Sequence, residues 1–296
     1  MMFQNRYFIS IFLIIAIMLC SNQIAFSEEN GNDTIPDGPW KFSLFASQQL
    51  NQVSFSNWAQ GGENSLVSTT VLNLGATYKK GNFEWENKLN MSYGILKIED
   101  SPMRKNEDRI FLLSKGGREV SNNLSTSFLL DFRSQFAKGY KYPNDSVVVS
   151  NFMAPGNLRL SLGVDYKPWE FLSIFFSPAS GRLIFVLDDE LSSQGAFGVK
   201  EGENYAAEFG FLANFMFNKE IFEDVLIESR LTLFNNLVDD DKDNRKNTDV
   251  DWETSINIKI NRYITASFLF HLLYDHDTIQ KTQTRQLLGI GLSYRI

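Results

Sequence analysis

His271 and His276 are the only imidazoles in a chain of 296 residues, so chemistry that needs a histidine base must use one of them. His271 lies four residues before Asp275 in an alternating apolar and polar stretch, while His276 lies in a polar loop. A hydrolase would need a serine within hydrogen-bond reach of that histidine and a third group to orient it. No G-x-S-x-G sequence supplies the serine, and Ser267 and Ser293 read as small strand fillers, so no catalytic residue is assigned. Asp239, Asp241 and Asp243 place carboxylates at alternate positions, an arrangement that suits Ca2+. The run lacks the glycine and distal glutamate of an EF-hand loop, and Lys242 and Arg245 oppose a cation. A solvated loop is expected there, with no metal and no cofactor. Gly61 and Gly62 follow Asn57 and Trp58 but open no helix and precede no Lys-Ser/Thr pair, which excludes a phosphate loop. These four residues, with Tyr140 and Tyr142 of a later loop, are candidates for contact with a partner.

A larger set of charges recurs on the polar side of alternating segments. It comprises Glu84, Glu86, Lys88, Asp131, Arg133, Arg159, Asp165, Glu208, Glu228, Arg230, Glu253, Lys259, Arg285 and Arg295, with His271 among them. An ion-selective constriction is lined by one dominant sign. Mixed signs fit either an interior filled by paired side chains or a small polar pore.

The elements that must position these residues are strands. Leu288, Ile290, Leu292, Tyr294 and Ile296 fall on one face of the last segment, with Gly289, Gly291, Ser293 and Arg295 on the other. Phe209, Phe211, Ala213, Phe215 and Phe217 repeat the pattern, as do Leu158, Leu160, Leu162, Val164 and Tyr166. Strands are expected at 40–52, 66–79, 82–97, 107–115, 121–136, 157–167, 169–187, 204–217, 224–236, 249–261, 262–275 and 283–296. The fourth is the weakest, and Pro178 predicts a bulge in the seventh. Tight turns such as Lys79–Asn82, Lys167–Pro168 and Asn261–Arg262 alternate with long polar loops at 53–65, 97–108, 137–156, 188–203, 237–248 and 275–283. Short turns on one rim and long loops on the other are the habit of membrane β-barrels, whose apolar face meets lipid. Trp40, Tyr78, Trp85, Tyr166, Trp169, Tyr263 and Tyr294 fall by short turns or chain ends. Trp58, Tyr93, Tyr140, Tyr142, Tyr205, Trp252 and Tyr274 fall by the long loops, which gives two interfacial belts. The fold expected is all-β: a transmembrane antiparallel up-and-down barrel of about twelve strands over residues 40–296, with both termini periplasmic.

Composition fits. Mean hydropathy is -0.20, with no run for a bundle of membrane helices, yet aromatic residues make up 14% and Phe alone counts 26. Residues 1–27 read as a signal peptide: Arg6 supplies the positive region, 7–19 the apolar core, and Ala25 and Ser27 the cleavage site. Cleavage there takes the net charge from -7 to -8 and removes Cys20, the single cysteine. Residues 28–39 read as a flexible segment. The acidic balance excludes nucleic acid as a partner. Lipid of the outer membrane is the expected surround.

The segment Asn57-Trp58-Ala59-Gln60-Gly61-Gly62-Glu63-Asn64 resembles a signature of a Bacteroidota outer-membrane β-barrel family of unknown function, the 3078 domain. Ser150-Asn151-Phe152-Met153-Ala154-Pro155, Ser177-Pro178 and Tyr274-Asp275 are similar to further pieces of it. The resemblance implies one outer-membrane barrel domain and no assigned reaction. With no serine–histidine constellation in the sequence, function is expected to be non-enzymatic: a small passive diffusion channel, or a structural component docking other envelope proteins through its loops. A lipase-like hydrolase and a transporter of hydrophobic compounds are the alternatives. The second would need a lateral opening or an apolar lumen, and the polar lumen row argues against it.

Overall fold

The structure, a computed structural model, describes residues 38–55, 62–238 and 244–295. The expected signal peptide, nearly all of the 28–39 segment, Asn57, Trp58, Gly61 and the trio Asp239, Asp241 and Asp243 lie outside the described residues.

Besides two single-turn 3-10 segments at 196–198 and 244–246, fourteen strands and one short α-helix follow one another among the described residues. They are β1 (Trp40–Val53), β2 (Ser65–Lys80), β3 (Phe83–Ile98), β4 (Arg104–Ser121), β5 (Leu124–Ser134), β6 (Gly139–Tyr140), β7 (Val148–Ser150), β8 (Gly156–Trp169), β9 (Leu172–Phe185), α1 (Asp189–Ser193), β10 (Tyr205–Phe222), β11 (Val225–Asn236), β12 (Asp249–Lys259), β13 (Ile264–Asp275) and β14 (Ile279–Arg295). Twelve strands close into a barrel in the order β1-β14-β13-β12-β11-β10-β9-β8-β5-β4-β3-β2, while β6 and β7 form a separate hairpin. Every neighbouring pair is antiparallel, which an even count permits when the last strand returns to the first.

Alternation decides which side chains meet lipid. Phe209, Phe211 and Phe215 of β10, Leu160, Leu162 and Val164 of β8, and Leu288, Ile290 and Leu292 of β14 are exposed on the outer wall. Their neighbours Arg159, Ser161, Asp165 and Asn214 are buried inside. So large an exposed apolar belt is unstable in water and matches a hydrocarbon core. No described helix is long and apolar enough to cross a membrane; the crossing is made by strands.

The aromatic belts also form. At the short-turn rim Trp40 packs on Tyr78 and Trp85 at 5.1 and 6.0 Å between centroids, and Trp169 stacks on Phe171 at 5.6 Å. Lys219 and Arg262 place cations over Phe171 and Tyr263 at 4.4 and 4.5 Å. At the other rim Tyr93 meets Phe136 at 6.3 Å and Trp252 meets Phe270 at 5.6 Å.

Two of the expected long loops are short. The strand expected at 107–115 is in fact β4, Arg104–Ser121, so only 99–103 connects it to β3. Likewise β14 begins at Ile279 rather than 283, leaving 276–278 as a tight turn. Both extensions are polar at the rim, where side chains stand above the lipid and the apolar alternation that betrays a strand fades. The bulge at Pro178 is present: the β8–β9 register slips between Leu162 and Val164. Ser177 Oγ donates to the Leu162 carbonyl and accepts from the Ala179 N–H, both bonds between 2.8 and 3.2 Å.

Candidate functional site

The interior is built from charged and aromatic layers. Arg109 of β4 donates to Glu253 of β12 at 3.0 Å, Arg133 of β5 pairs closely with Asp251 of β12, and Arg285 of β14 pairs with Glu107 of β4 at 3.0 Å. None of these strand pairs is adjacent in the sheet, so each bond is a strut across the bore. Arg182 of β9 anchors the long-loop side. It grips both oxygens of Glu208 at 2.5 and 2.8 Å and reaches Asp249 at 2.9 Å and Asp275 at 3.2 Å. A bidentate guanidinium fork satisfies several acceptors at once, which a buried carboxylate cluster requires. Lower down, Lys115 joins Asp165 at 2.7 Å and Arg159 stands 3.7 Å from Asp131.

Between the struts lies an apolar seal absent from the expected polar row. Phe111, Leu113, Leu129, Phe175, Leu212 and Phe234 point inward and form one buried cluster. Their rings carry the cations: Arg230, Arg133 and Arg109 lie 4.0, 5.0 and 5.3 Å from Phe111, and Arg182 and Arg159 lie 5.1 and 5.5 Å from Phe234. Cation–π contact of this kind strengthens where water is excluded. Twelve strands leave a bore wider than an eight-stranded barrel, and long Arg and Phe side chains are what can fill it.

The expected lumen residues sort as follows. Arg133, Glu253 and Arg285 join the struts, Asp165 bonds Lys115, Glu208 bonds Arg182 and Asp131 faces Arg159 on neighbouring strands, and Arg230 sits over Phe111. Glu86 pairs with Lys88 at 2.8 Å, and Glu228 accepts from Asn218 at 3.4 Å. Glu84 bonds Lys167 at 3.1 Å at the mouth. Lys259 is half-exposed and bridges to Asp224 of a short turn at 3.3 Å, so it belongs to the rim and not to the lumen. The side chain of Arg295 lies outside the described residues. His271 bonds Asp251 at 3.1 Å and not Asp275 four residues on, whose carboxylate is taken by Arg182 and by the N–H groups of Asp277 and Thr278. Register explains this: His271 faces Glu253 one strand over, next to Asp251 on the same face.

Sequence reading missed Glu107, Arg109, Lys115, Arg182, Asp249 and Asp251. Glu107, Arg109, Phe111, Leu113 and Lys115 share one phase of β4, but Ile110 and Leu112 make the other phase apolar too, so the row did not stand out. The triplet Asp249, Asp251 and Glu253 was the available signal for β12.

Two spaces remain. A mouth of about 680 Å³ at the short-turn rim is lined by Glu84, Glu86, Lys115, Asp165, Lys167 and Phe171. A second, of about 230 Å³, runs from Glu107, Arg109 and Glu253 to Gln49, Asn51 and Leu288.

The long-loop rim is capped. Val148 of β7, Ala154, Ile184, Val186, Leu191 of α1 and Val199 form a small core between the β5–β8 and β9–β10 connections, with Tyr140 packed against it. Asp188 caps α1, accepting from the N–H groups of Glu190 and Leu191 at 3.2 and 3.3 Å. The side-chain hydrogen bond from Asn151, at 2.8 Å, is the main cause holding the Asp188 carboxyl below its usual range. Tyr142 lies under Arg104 at 5.1 Å and 6.2 Å from Tyr140, so both tyrosines build the cap. Gly62, at φ 137°, turns against the Phe55 ring. Among the described residues no group of His, Cys, Asp or Glu could hold a metal.

Residues 50–140 match the family described as "Protein of unknown function (DUF3078)". That span includes the 57–64 motif, and the pieces at 150–155, 177–178 and 274–275 lie beyond it. No curated protein matches the chain. Among solved structures it is similar to the translocator domain of autotransporter NalP from Neisseria meningitidis, at 11% identity over 97% of this chain and 96% of that one, TM-score 0.39. It is also similar to an outer membrane channel from Pseudomonas putida F1, at 10% identity over 91% and 98%, TM-score 0.40. Outer membrane phospholipase A from Escherichia coli aligns at 11% identity over 89% and 94%, TM-score 0.33. At these identities the likeness concerns the fold alone, and no residue role is taken from them.

Proposed function

We propose that this chain is a non-enzymatic β-barrel of the outer membrane that works with its bore closed, as a docking component for envelope proteins. The short-turn rim faces the periplasm and the capped rim faces outward. The observation that carries the reading is the seal: struts such as Arg109–Glu253 and Arg133–Asp251 cross the bore around the buried Phe111 and Phe234 rings. A second observation supports docking. Phe136, Val147, Val149, Phe152 and Leu187 are exposed on or beside the cap, where apolar side chains gain from a protein surface.

Single-channel recording in a planar bilayer tests this directly. Purified, heat-modifiable barrel should give a silent membrane; stable, reproducible steps would assign the passive channel instead. The hydrolase reading has its own check. Phospholipid hydrolysis should stay at background for the native chain and for His271→Ala alike, whereas activity lost in the variant would overturn the non-enzymatic assignment.

A further inference from the structure

The barrel closes unevenly. β1 pairs with β2 at all fourteen positions from Trp40 to Val53, but with β14 only from Phe45↔Arg295 to Gln49↔Gly291. Towards the long-loop rim the ladder between these two strands stops. Among the described residues Leu50–Val53 pair with β2 and Gln283–Ile290 with β13, and the two stretches do not pair with each other. Four residues of strand are about 14 Å long. The flanking outer residues are Leu50, Leu288 and Ile290, exposed by 60%, 77% and 62%, so this stretch of seam lies within the apolar band.

An open strand edge facing hydrocarbon is costly, because each unpaired N–H or C=O there needs a polar partner; such edges persist only where they line a polar cavity. A cavity is present. The space of about 230 Å³ lies behind the slot, lined by Gln49 and Asn51 of β1, Leu287, Leu288 and Gly289 of β14, and the lumenal Asn90, Glu107 and Arg109. At the foot of the slot stands a polar cluster on the lipid side: Gln48 donates to Ser68 at 3.0 Å and accepts from Thr70 at 2.6 Å. The closing element is one flexible side chain. A Cβ on Gly289 would meet Gln49 Oε1 at 2.0 Å, so Gln49 lies across the seam where glycine leaves room for it.

We propose that the β1–β14 slot is a lateral portal that admits the polar head of a bilayer lipid while its acyl chain stays outside against Leu50, Leu288 and Ile290. The inner wall carries three carboxylates, Glu107, Glu228 and Glu253, against the single guanidinium of Arg109, which suits a head bearing an ammonium better than a purely anionic one. The volume equals roughly seven or eight water molecules at ~30 Å³ each, room for a head and not for a whole lipid. This goes beyond the docking reading and stands whether or not the bore conducts.

The test uses the full barrel in liposomes doped with lysophosphatidylethanolamine that carries a diazirine on the carbons of its head group. Photolysis and peptide mass spectrometry should find adducts on lumen-facing Val71, Asn90 and Leu269 as well as on the outer wall. The double variant Leu50→Cys/Ile290→Cys, oxidised, zips the slot and should lose the lumenal adducts, with reductant restoring them. Adducts confined to outward-facing residues in the native chain would overturn the portal, and so would lumenal adducts that survive in the oxidised variant. The native-chain result does not depend on the variant folding.

Discussion

Arg182 carries the largest single electrostatic burden in the lumen. It is nearly fully buried and serves three carboxylates from three strands, Glu208, Asp249 and Asp275. Arg182→Met should therefore cost about 3–5 kcal/mol, the price of leaving buried charges unpaired. Urea unfolding of the refolded barrel, followed by gel mobility, measures it. Adding Asp275→Asn to that variant should recover part of the loss, because one charge is then removed. Asp188 makes the pH-dependent contribution. Its carboxyl is held below the usual value by Asn151 and by the α1 N–H groups, so its stabilisation is full above the unfolded value near pH 4 and disappears as the pH falls through the lower folded value. Protease cleavage within 189–198 should rise in that acid range, and Asp188→Ala should give the same susceptibility at pH 7, a loss of about 0.5–1 kcal/mol as for other helix caps.

At the scale of elements the bulged strands set the geometry. Gly210 of β10 lies where the β9 register slips, and a Cβ there would come within 1.8 Å of the Asn235 carbonyl of β11. Gly210→Ala must push these strands apart and should destabilise by about 2–3 kcal/mol, with a lower temperature for loss of heat-modifiable mobility. Gly181 is the control: nothing lies near its Cβ position, and Gly181→Ala should leave that temperature unchanged. Element identity was largely legible in the sequence, since lipid on one side and packed polar groups on the other impose a period of two on every strand. The ends were less so. Arg104 and Lys105 pair with β3, and Ile279 and Gln283 with β13, at the rim, where either face tolerates polar residues and the pattern that marks a strand is lost.

The barrel is a lipid-facing sheet crossed by its own side chains at mid-height and covered by packed loops at one rim. Cap and seal are separate devices. Deleting α1 and its flanks, 187–203, should expose Ile184 and Val186 to protease while the bilayer stays silent, because the Phe111–Phe234 layer is untouched. Phe111→Ala combined with Phe234→Ala should instead produce conductance steps, with the cap intact. Steps in the cap deletion and silence in the double variant would reverse these assignments.

The sequence by itself determined the strand pattern, the outward apolar face and the two aromatic belts, because lipid contact acts on each residue through its immediate neighbours in the chain. It also marked most of the inward charges, through phase alone. Which of them meet was decided only by closure and register. Arg109 and Glu253 are 144 positions apart and Arg285 and Glu107 178, and nothing local in either stretch announces its partner. The same holds for the Phe111 and Phe234 seal, whose residues occupy the polar phase and look misplaced until the bore is seen to need filling. The slot beside Gly289 is likewise a property of two strands from opposite ends of the barrel segment, where the pairing of one edge with the other is the only thing that could have closed it.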